Sequence, residues 1–372
     1  MSEDLRFIYP SILPFTTDKD KLDSVKCFDV LVLAFEHFDF RVASQIMPVL
    51  KSNNKSFAVL NLRDLDNTDY FSGLEIFTLQ DLGVKGEISS LRWILQAALP
   101  EDVVEFVCQQ IEVQFVISGA AQAQQQLVGK LSKKGAKVLG HYLSLNILHE
   151  FTLNGFIAMP VDRMVLAMPG LDRELLKNKY QENLIYCGYP KLDCSKFKLL
   201  PETIRKKPVL LFIGGYGEHY NSAFVIFSHA AKSLSDFSAV VMLHPHVDGK
   251  IEKRLLHEAG CTDVLLFSRE QYMLEDLIPQ AQIVVTQGSS SVVDCLLLNK
   301  PVYYVDAQET SYTSFPLEQG WIMRCCSTEE LVAQVHLTKM NNFITEKIIV
   351  LEDLGINFSQ RISEVLVDFL MC

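Results

Sequence analysis

The chain has 372 residues, of which 49% are hydrophobic and 21% charged, with a formal net charge of −11. That length exceeds one ordinary core and the composition is globular, so two domains are expected and a disordered chain is excluded. The acidic balance excludes a general nucleic-acid binder, yet it leaves room for a small anionic ligand held by local donors.

No apolar run reaches the roughly 18 residues that a membrane span needs. The start, Met1-Ser2-Glu3-Asp4, lacks the basic region of a secretory leader. Nine scattered cysteines without a Cys-x-x-Cys pair fit reduced thiols better than a disulfide framework or a zinc site, and the adjacent Cys325 and Cys326 read as core residues. A cytoplasmic chain is the expectation, with peripheral membrane association left open.

In chain order, residues 29–35 form an apolar strand candidate and 40–50 have helical spacing. Further strands are predicted over 57–62 and 74–79, then an amphipathic helix over 89–110. Strands follow over 113–118 and 136–139, with a glutamine-rich helix between them whose tract at 122–126 reads as a solvated face, and another short strand over 163–167. Residues 181–207 are broken by Pro190 and Pro201 and end in Arg205-Lys206-Lys207, which suits a linker. The second half repeats the rhythm, with strands over 208–213, 239–243, 264–267, 283–285 and 302–305 and helices over 221–234 and 249–260. Strands alternating with helices imply parallel βαβ units. The expected architecture is therefore α/β, with two Rossmann-like domains whose parallel sheets face a cleft. We expect a first domain over 1–180, a second over 208–345 and a last segment over 346–372. Within it residues 359–370 are amphipathic and suit a terminal helix, with a crossing back to the first domain left open.

The most informative stretch is Thr286-Gln287-Gly288-Ser289-Ser290-Ser291, which follows a short β-branched strand and opens a helix. Serine at a helix start caps unpaired N–H groups, and those groups with the helix dipole attract anions. Three hydroxyls exceed what one cap needs, so Thr286, Gly288, Ser289, Ser290 and Ser291 are read as a phosphate seat. The plain alternative is a cap and nothing more. Gly214 and Gly215 follow another strand and let backbone approach a ligand closely, or simply make a turn. His244 closes a strand before Pro245, where a ring N–H could steady charge developing on a leaving phosphate, or bond a neighbouring loop. His246 lies two residues on, but no third ligand accompanies the pair and no metal is expected.

Four motifs fall into one order: Cys187-Gly188-Tyr189-Pro190-Lys191-Leu192-Asp193, then Leu243-His244-Pro245-His246, then the serine loop with Leu298-Asn299-Lys300-Pro301, then Asp353-Leu354-Gly355 with Ser359-Gln360-Arg361-Ile362. In this order the chain resembles the GT-B superfamily of nucleotide-sugar enzymes. It is similar to CDP-glycerol glycerophosphotransferases, to bacterial capsule and sialic-acid transferases and, one branch away, to UDP-N-acetylglucosamine 2-epimerases. The resemblance covers most of the second half and the first half only loosely. It implies a donor nucleotide lying on the second domain, with His244 on the nucleotide or its phosphate and two of the three serines on phosphate oxygens. It also implies a general base after a first-domain strand, where this chain has His141, with Glu218 as a second acid/base candidate. By the same resemblance Tyr272 stands where the base is contacted and Glu309 where the ribose or sugar is; ordinary capping and a solvated loop are the plain alternatives.

The sequence departs from the pattern as well. Where the glycerophosphotransferases carry a Pro-Thr-x-Arg loop, this chain has Gly214-Gly215-Tyr216-Gly217-Glu218, so an arginine that would neutralise phosphate is missing. The acidic-acidic-Gly motif of the sialyltransferases has no copy, and Val292-Val293-Asp294 stands where the epimerases have an acidic pair. The expectation is a transferase that moves a glycosyl or glycerophosphoryl group from a CDP-, CMP- or UDP-linked donor to an acceptor hydroxyl, free or lipid-linked, without an obligatory cofactor. The rivals are a UDP-sugar 2-epimerase or hydrolase on the same scaffold, and a non-catalytic nucleotide-sugar binder. Oligomerisation is left open.

Overall fold

Runs such as Val30-Leu31-Val32-Leu33-Ala34 and Val209-Leu210-Leu211-Phe212-Ile213 are apolar at every position, which suits strands covered on both faces. A computed structural model of the chain places them so. It describes residues 16–18, 25–63, 73–85, 98–143, 150–168, 174–190, 192, 197–215, 218–244, 247–289, 291–307, 317, 320–340 and 358–371.

The first half begins with β1 (Thr16–Thr17), β2 (Lys26–Ala34), α1 (His37–Ser52), β3 (Phe57–Asn61), β4 (Ile76–Thr78) and β5 (Val84–Lys85). It continues with α2 (Glu101–Gln109), β6 (Ile111–Ser118), α3 (Gln122–Lys133), β7 (Lys137–Tyr142), α4 (Glu150–Ala158), β8 (Arg163–Leu166), α5 (Glu174–Tyr180) and β9 (Leu184–Tyr186). Seven of these strands form one parallel sheet in the order β4-β3-β2-β6-β7-β8-β9, and β1 pairs antiparallel with β5 apart from it. The edge strand β9 lies inside the stretch read as linker, because Leu184, Ile185 and Tyr186 have partners on β8.

The second half has α6 (Glu202–Arg205), β10 (Val209–Ile213), α7 (Glu218–Ser233), β11 (Ser238–Met242), α8 (Lys250–Glu258), β12 (Leu265–Phe267), α9 (Leu274–Leu277) and β13 (Ala281–Thr286). It ends with α10 (Val292–Leu297), β14 (Val302–Val305), β15 (Met323–Cys325), α11 (Thr328–Met340) and α12 (Phe358–Met371). Its six strands are parallel in the order β12-β11-β10-β13-β14-β15.

Alternate residues of each central strand enter different cores, as the two-residue period requires. Leu31 and Leu33 pack with Leu60, Val116 and Val138 on one face of the first sheet, whereas Val30, Val32 and Ala34 pack with Val59, Ile117 and Leu139 on the other. Leu211 and Ile213 likewise separate from Leu210 and Phe212 in the second sheet. The last helix, α12, belongs to the first domain. Phe358, Ile362, Val365, Leu366 and Phe369 form its apolar stripe and join Phe40, Ala43, Ile46 and Leu50 of α1 in one core.

One predicted helix needs correction. The helix predicted over 89–110 begins only at Glu101. Residues 98–100 are not helical, and 86–97 lie outside the described residues. Pro100 disfavours helix at Leu99 and itself precedes the first helical residue. The backbone N–H and C=O of Leu99 instead bond the Gln126 side chain, each at 2.8 Å.

Cys325 is fully buried as expected, Cys326 only half-buried, and no disulfide joins the described cysteines. Among the described residues no helix is long and apolar enough to cross a membrane.

Candidate functional site

In the second sheet β10 lies between β11 and β13, so the connections leave it in opposite directions and open a crevice at the strand ends. Gly214 follows β10 into that crevice. Its N–H donates to Met242 O at 2.8 Å. A Cβ there would lie 2.6 Å from Met242 O and 2.9 Å from the backbone N of His244, so only glycine fits. A Cβ on Gly215 would meet the Tyr220 ring at 3.1 Å and Gln287 O at 3.6 Å. The glycine pair therefore gathers His244 on one side and the loop after β13 on the other.

The serine loop is internally braced. Gly288 takes φ +87°, which glycine tolerates and other residues rarely adopt. The Ser289 N–H donates to Thr286 Oγ1 at 3.3 Å, and the Ser291 N–H donates to Ser289 Oγ at 3.2 Å. Thr286 is fully buried with its own hydroxyl aimed at Ile213 O, 3.4 Å away, so it supports the loop from beneath. Ser289 and Ser291 stay half-buried at the crevice. Ser290 and Glu309 lie outside the described residues. Glu218 is the first residue of α7, and its side chain lies outside them as well.

Tyr272 sits in the turn after β12. Its N–H donates to Ser268 O, and its buried ring packs against Phe267 with centroids 4.6 Å apart, under Lys198 Nζ at 4.6 Å. The residue that the same turn brings forward is Arg269. Leu243 N–H donates to Phe267 O at 2.8 Å, which sets the end of β12 beside His244. Burial, reinforced by the Arg269 charge, lowers the His244 pKa to about 4. His244 is therefore neutral at pH 7, a hydrogen-bonding group beside a fixed positive charge.

The first sheet presents its own strand ends. His141 lies on β7, 5% exposed, with Nε2 3.2 Å from Asp39 Oδ1. The other Asp39 oxygen, Oδ2, accepts N–H groups of Phe35 at 2.7 Å and Glu36 at 2.9 Å, and Nε2 of Gln124 at 3.3 Å. Gln124 also donates to Leu33 O at 2.7 Å and accepts from the Ala121 N–H. The glutamine tract is thus a brace and not the solvated face expected of it. Gln124 is 2% exposed, Gln125 bonds Ala120 O and Gln126 bonds Leu99. Glu36 follows β2, the strand beside the first sheet's own reversal point, and keeps an exposed surface in the crevice. Surrounding protein and the Asp39 charge raise its carboxyl pKa, while Arg63, Arg269 and His141 oppose the rise. Arg269 belongs to the second domain, so the two sets of strand ends face each other.

A buried ion pair joins the two halves nearby. Arg41 of α1 donates from Nη1 to Asp294 Oδ1 at 2.7 Å, lies 3.3 Å from Glu275 Oε1 through Nη2, and reaches Tyr189 Oη at 3.5 Å. Asp294 lies in α10, the helix that follows the serine loop.

No family model and no curated protein matches the sequence. Solved structures do match over nearly the whole chain. UDP-GlcNAc 2-epimerase from Neisseria meningitidis, bound to UDP-GlcNAc, superposes with a TM-score of 0.63 at 12% identity, covering 92% of this chain and 99% of its own. Another UDP-N-acetylglucosamine 2-epimerase gives 0.65 at 14% identity, covering 92% and 95%. HepE from Anabaena, in complex with UDP and glucose, gives 0.57 at 12% identity, covering 92% and 99%. The chain has the GT-B fold.

Within that GT-B frame the strand ends of the second sheet hold Gly214, Gly215, His244, Ser289 and Ser291, and His141 lies on β7 of the first sheet beside Asp39. The structure adds Glu36, Asp39, Arg41 and Arg269, which pattern reading passed over. A charged residue directly after a buried strand was the available signal for Glu36 and Arg269. Asp39 is marked locally only as a capping residue in the first turn of α1, and nothing local marks its link to His141, 102 positions away, or that of Arg41 to Asp294, 253 positions away. Among the described residues no group of three or more His, Cys, Asp or Glu side chains is placed to hold a metal ion.

Proposed function

We propose that this chain is a nucleotide-sugar-dependent transferase that moves a glycosyl or glycerophosphoryl group from a CDP-, CMP- or UDP-linked donor to an acceptor hydroxyl. The observation that carries this reading is the facing of two unlike strand-end clusters. One offers neutral His244, Arg269 and a glycine- and serine-lined turn to a phosphate. The other offers Glu36 and the Asp39-supported His141 to a hydroxyl. Catalysis in such a crevice is positioning of donor against acceptor plus charge stabilisation on the departing nucleotide phosphate. His141 or Glu36 takes the acceptor proton, and Arg269 and His244 steady the negative charge left on the phosphate. A cytoplasmic protein acting on a glycan or lipid-linked acceptor fits this chemistry and the lack of a spanning helix among the described residues.

A second reading, a UDP-sugar 2-epimerase or hydrolase, is favoured by the exposed Glu36 carboxylate at the strand ends of the first sheet, which would supply an acid/base group. The epimerases among the similar structures support it too. Product analysis tests both. Purified protein is incubated with CDP-, CMP- and UDP-linked donors, with and without a mixture of hydroxyl acceptors. Nucleotide release that requires acceptor supports transfer. Release, or a changed sugar, without acceptor supports the second reading. No turnover with measurable binding leaves a nucleotide-sugar binder.

A further inference from the structure

Helix α1 turns two faces to two different neighbours. Asp39 and Arg41 stand two positions apart, roughly 200° around the helix axis. Asp39 faces its own domain, where it accepts the Phe35 and Glu36 N–H groups and lies beside His141. Arg41 faces the other domain. Its Nη1 donates to Asp294 Oδ1 at 2.7 Å and to Tyr189 Oη at 3.5 Å, and its Nη2 donates to Glu275 Oε1 at 3.3 Å. The three acceptors come from distant parts of the chain. Cys187 joins a core of the first sheet and Tyr189 one of the second, with Gly188 at φ +89° between them. Glu275 belongs to α9, and Asp294 to the first turn of α10, just past Ser291. Phe38 stands one turn before Arg41 on the same side of α1 and packs against Tyr189, ring centroids 5.6 Å apart. Asp294 is thus about one helical turn from the serine loop, and Arg41 less than about two from Glu36.

We propose that Arg41 is a positioning residue, which holds the start of α1 in register with the serine loop so that a ligand seated on that loop is felt at Glu36, Asp39 and His141. This rests on the nucleotide-donor reading of the same crevice. A buried ion pair adds little net stability over an apolar contact of the same size, but it tolerates far fewer alignments. Phe38 already supplies the apolar contact, since it packs against cores of both halves. A guanidinium fork shared among two carboxylates and a phenol fixes direction as well as distance, which a lysine in its place could not do. The register matters because a misplacement of about 1 Å between reacting groups can cost about a hundred-fold in rate. A ligand that orders the serine loop also orders the first turn of α10, and the Arg41–Asp294 contact passes that order to α1.

The test is amide hydrogen exchange of the full chain with and without UDP or CDP, read on whichever nucleotide binds more tightly in calorimetric titration. In the wild type, nucleotide is expected to slow exchange both in residues 291–298 and at the start of α1, residues 37–44. The double variant Arg41→Met with Asp294→Leu removes both charges and keeps the bulk. Its nucleotide affinity is expected to stay within about two-fold of wild type, and the slowing in 291–298 to persist, while the slowing in 37–44 is lost. A pair that served only the stability of the fold would change exchange in both segments equally, with or without nucleotide, so the selective loss decides the matter. If the double variant does not fold, Arg41→Lys carries the test, because it keeps the charge but loses the fork, and part of the slowing in 37–44 should go with it. Slowing in 37–44 that survives in the folded variants, or is absent from the wild type, overturns the positioning role and leaves the nucleotide reading standing. A double variant whose affinity falls more than about ten-fold also overturns it, since Asp294 would then hold the ligand itself. A wild-type protein that binds neither nucleotide overturns both.

Discussion

Arg41 and Asp294 meet at 2.7 Å although they stand 253 positions apart, one on the first helix of the first domain and the other on the helix that follows the serine loop. Both side chains are largely buried, 13% and 4% exposed. The contact ties the strand ends of the first sheet, which open α1, to the serine loop, which opens α10. Glu275 and Tyr189 complete the ring around the guanidinium, and Phe38 stacks beside it with its ring 5.5 Å from Arg41 Cζ. Arg41 thus helps to fix the relative placement of the two clusters, together with Phe38, which packs against cores of both halves.

Removing that cation should be costly. Arg41→Ala leaves Asp294 buried without its main partner, and breaking a buried pair in this way typically costs about 3–5 kcal/mol. The double replacement Arg41→Met with Asp294→Leu removes both charges and should cost less than Arg41→Ala alone. Chemical denaturation of the three proteins checks the order. A double variant no more stable than the single one would remove Asp294 from the account.

The pH dependence of stability carries two opposed contributions. Burial raises the Asp294 carboxyl to about 6, with Arg41 opposing the rise and Glu275 adding to it. The folded state therefore holds that proton better than the unfolded one, and the contribution of Asp294 is present below about pH 4 and lost as pH rises towards about 6. His244 runs the other way. Its folded value of about 4 lies below the ordinary 6.5, so its contribution is present above pH 6.5 and lost as pH falls towards about 4. Each slope is about 1.4 kcal/mol per pH unit within its window. Urea unfolding at pH 4.5 and pH 7 should show Asp294→Asn losing the first slope and His244→Asn losing the second.

How far the residue pattern reached follows from what each feature depends on. The strands 29–35, 57–62, 208–213 and 283–285 were legible because burial on both faces demands continuous apolar runs, and all four are strands of the two parallel sheets. The positions of His244 and the serine loop just past strand ends were legible because strand-end position and residue type are local. Gln124 was not: a glutamine in a run of glutamines reads as solvated, and its burial is set by Leu33 O and Asp39, more than 80 positions away. The same holds for Arg41. The helix over 89–110 was extended too far because its periodicity outweighed Pro100, which ends the pattern physically.

Two glycines should respond oppositely to alanine. Gly214→Ala places a methyl 2.6 Å from Met242 O and 2.9 Å from the His244 N, both backbone atoms that cannot step aside cheaply. A loss of roughly 1–3 kcal/mol is expected, together with weaker nucleotide binding as the strand ends spread. Gly129 lies inside α3 with nothing within 4 Å of its would-be Cβ. Gly129→Ala should stabilise by about 0.5–1 kcal/mol through helix propensity. Melting curves of the two variants check the contrast.

The acceptor side can be separated from the donor side by substituting the base and reading rate and affinity apart. A positioned general base contributes typically 10²–10⁴-fold to rate. If His141 takes the acceptor proton, His141→Asn should lower the transfer rate by about that factor, while affinity for the nucleotide, held on the other domain, stays within about two-fold. Asp39→Asn should also slow transfer, and should cost stability of about 1 kcal/mol as well, because Asp39 Oδ2 holds the Phe35 and Glu36 N–H groups at the start of α1. The measurement is steady-state kinetics with donor held at saturation, alongside direct titration of nucleotide. Undiminished turnover in His141→Asn would assign the proton to Glu36, whose carboxylate faces the same space with more exposure than the imidazole. Loss of nucleotide affinity in step with rate would instead mean that His141 serves the closed arrangement of the domains.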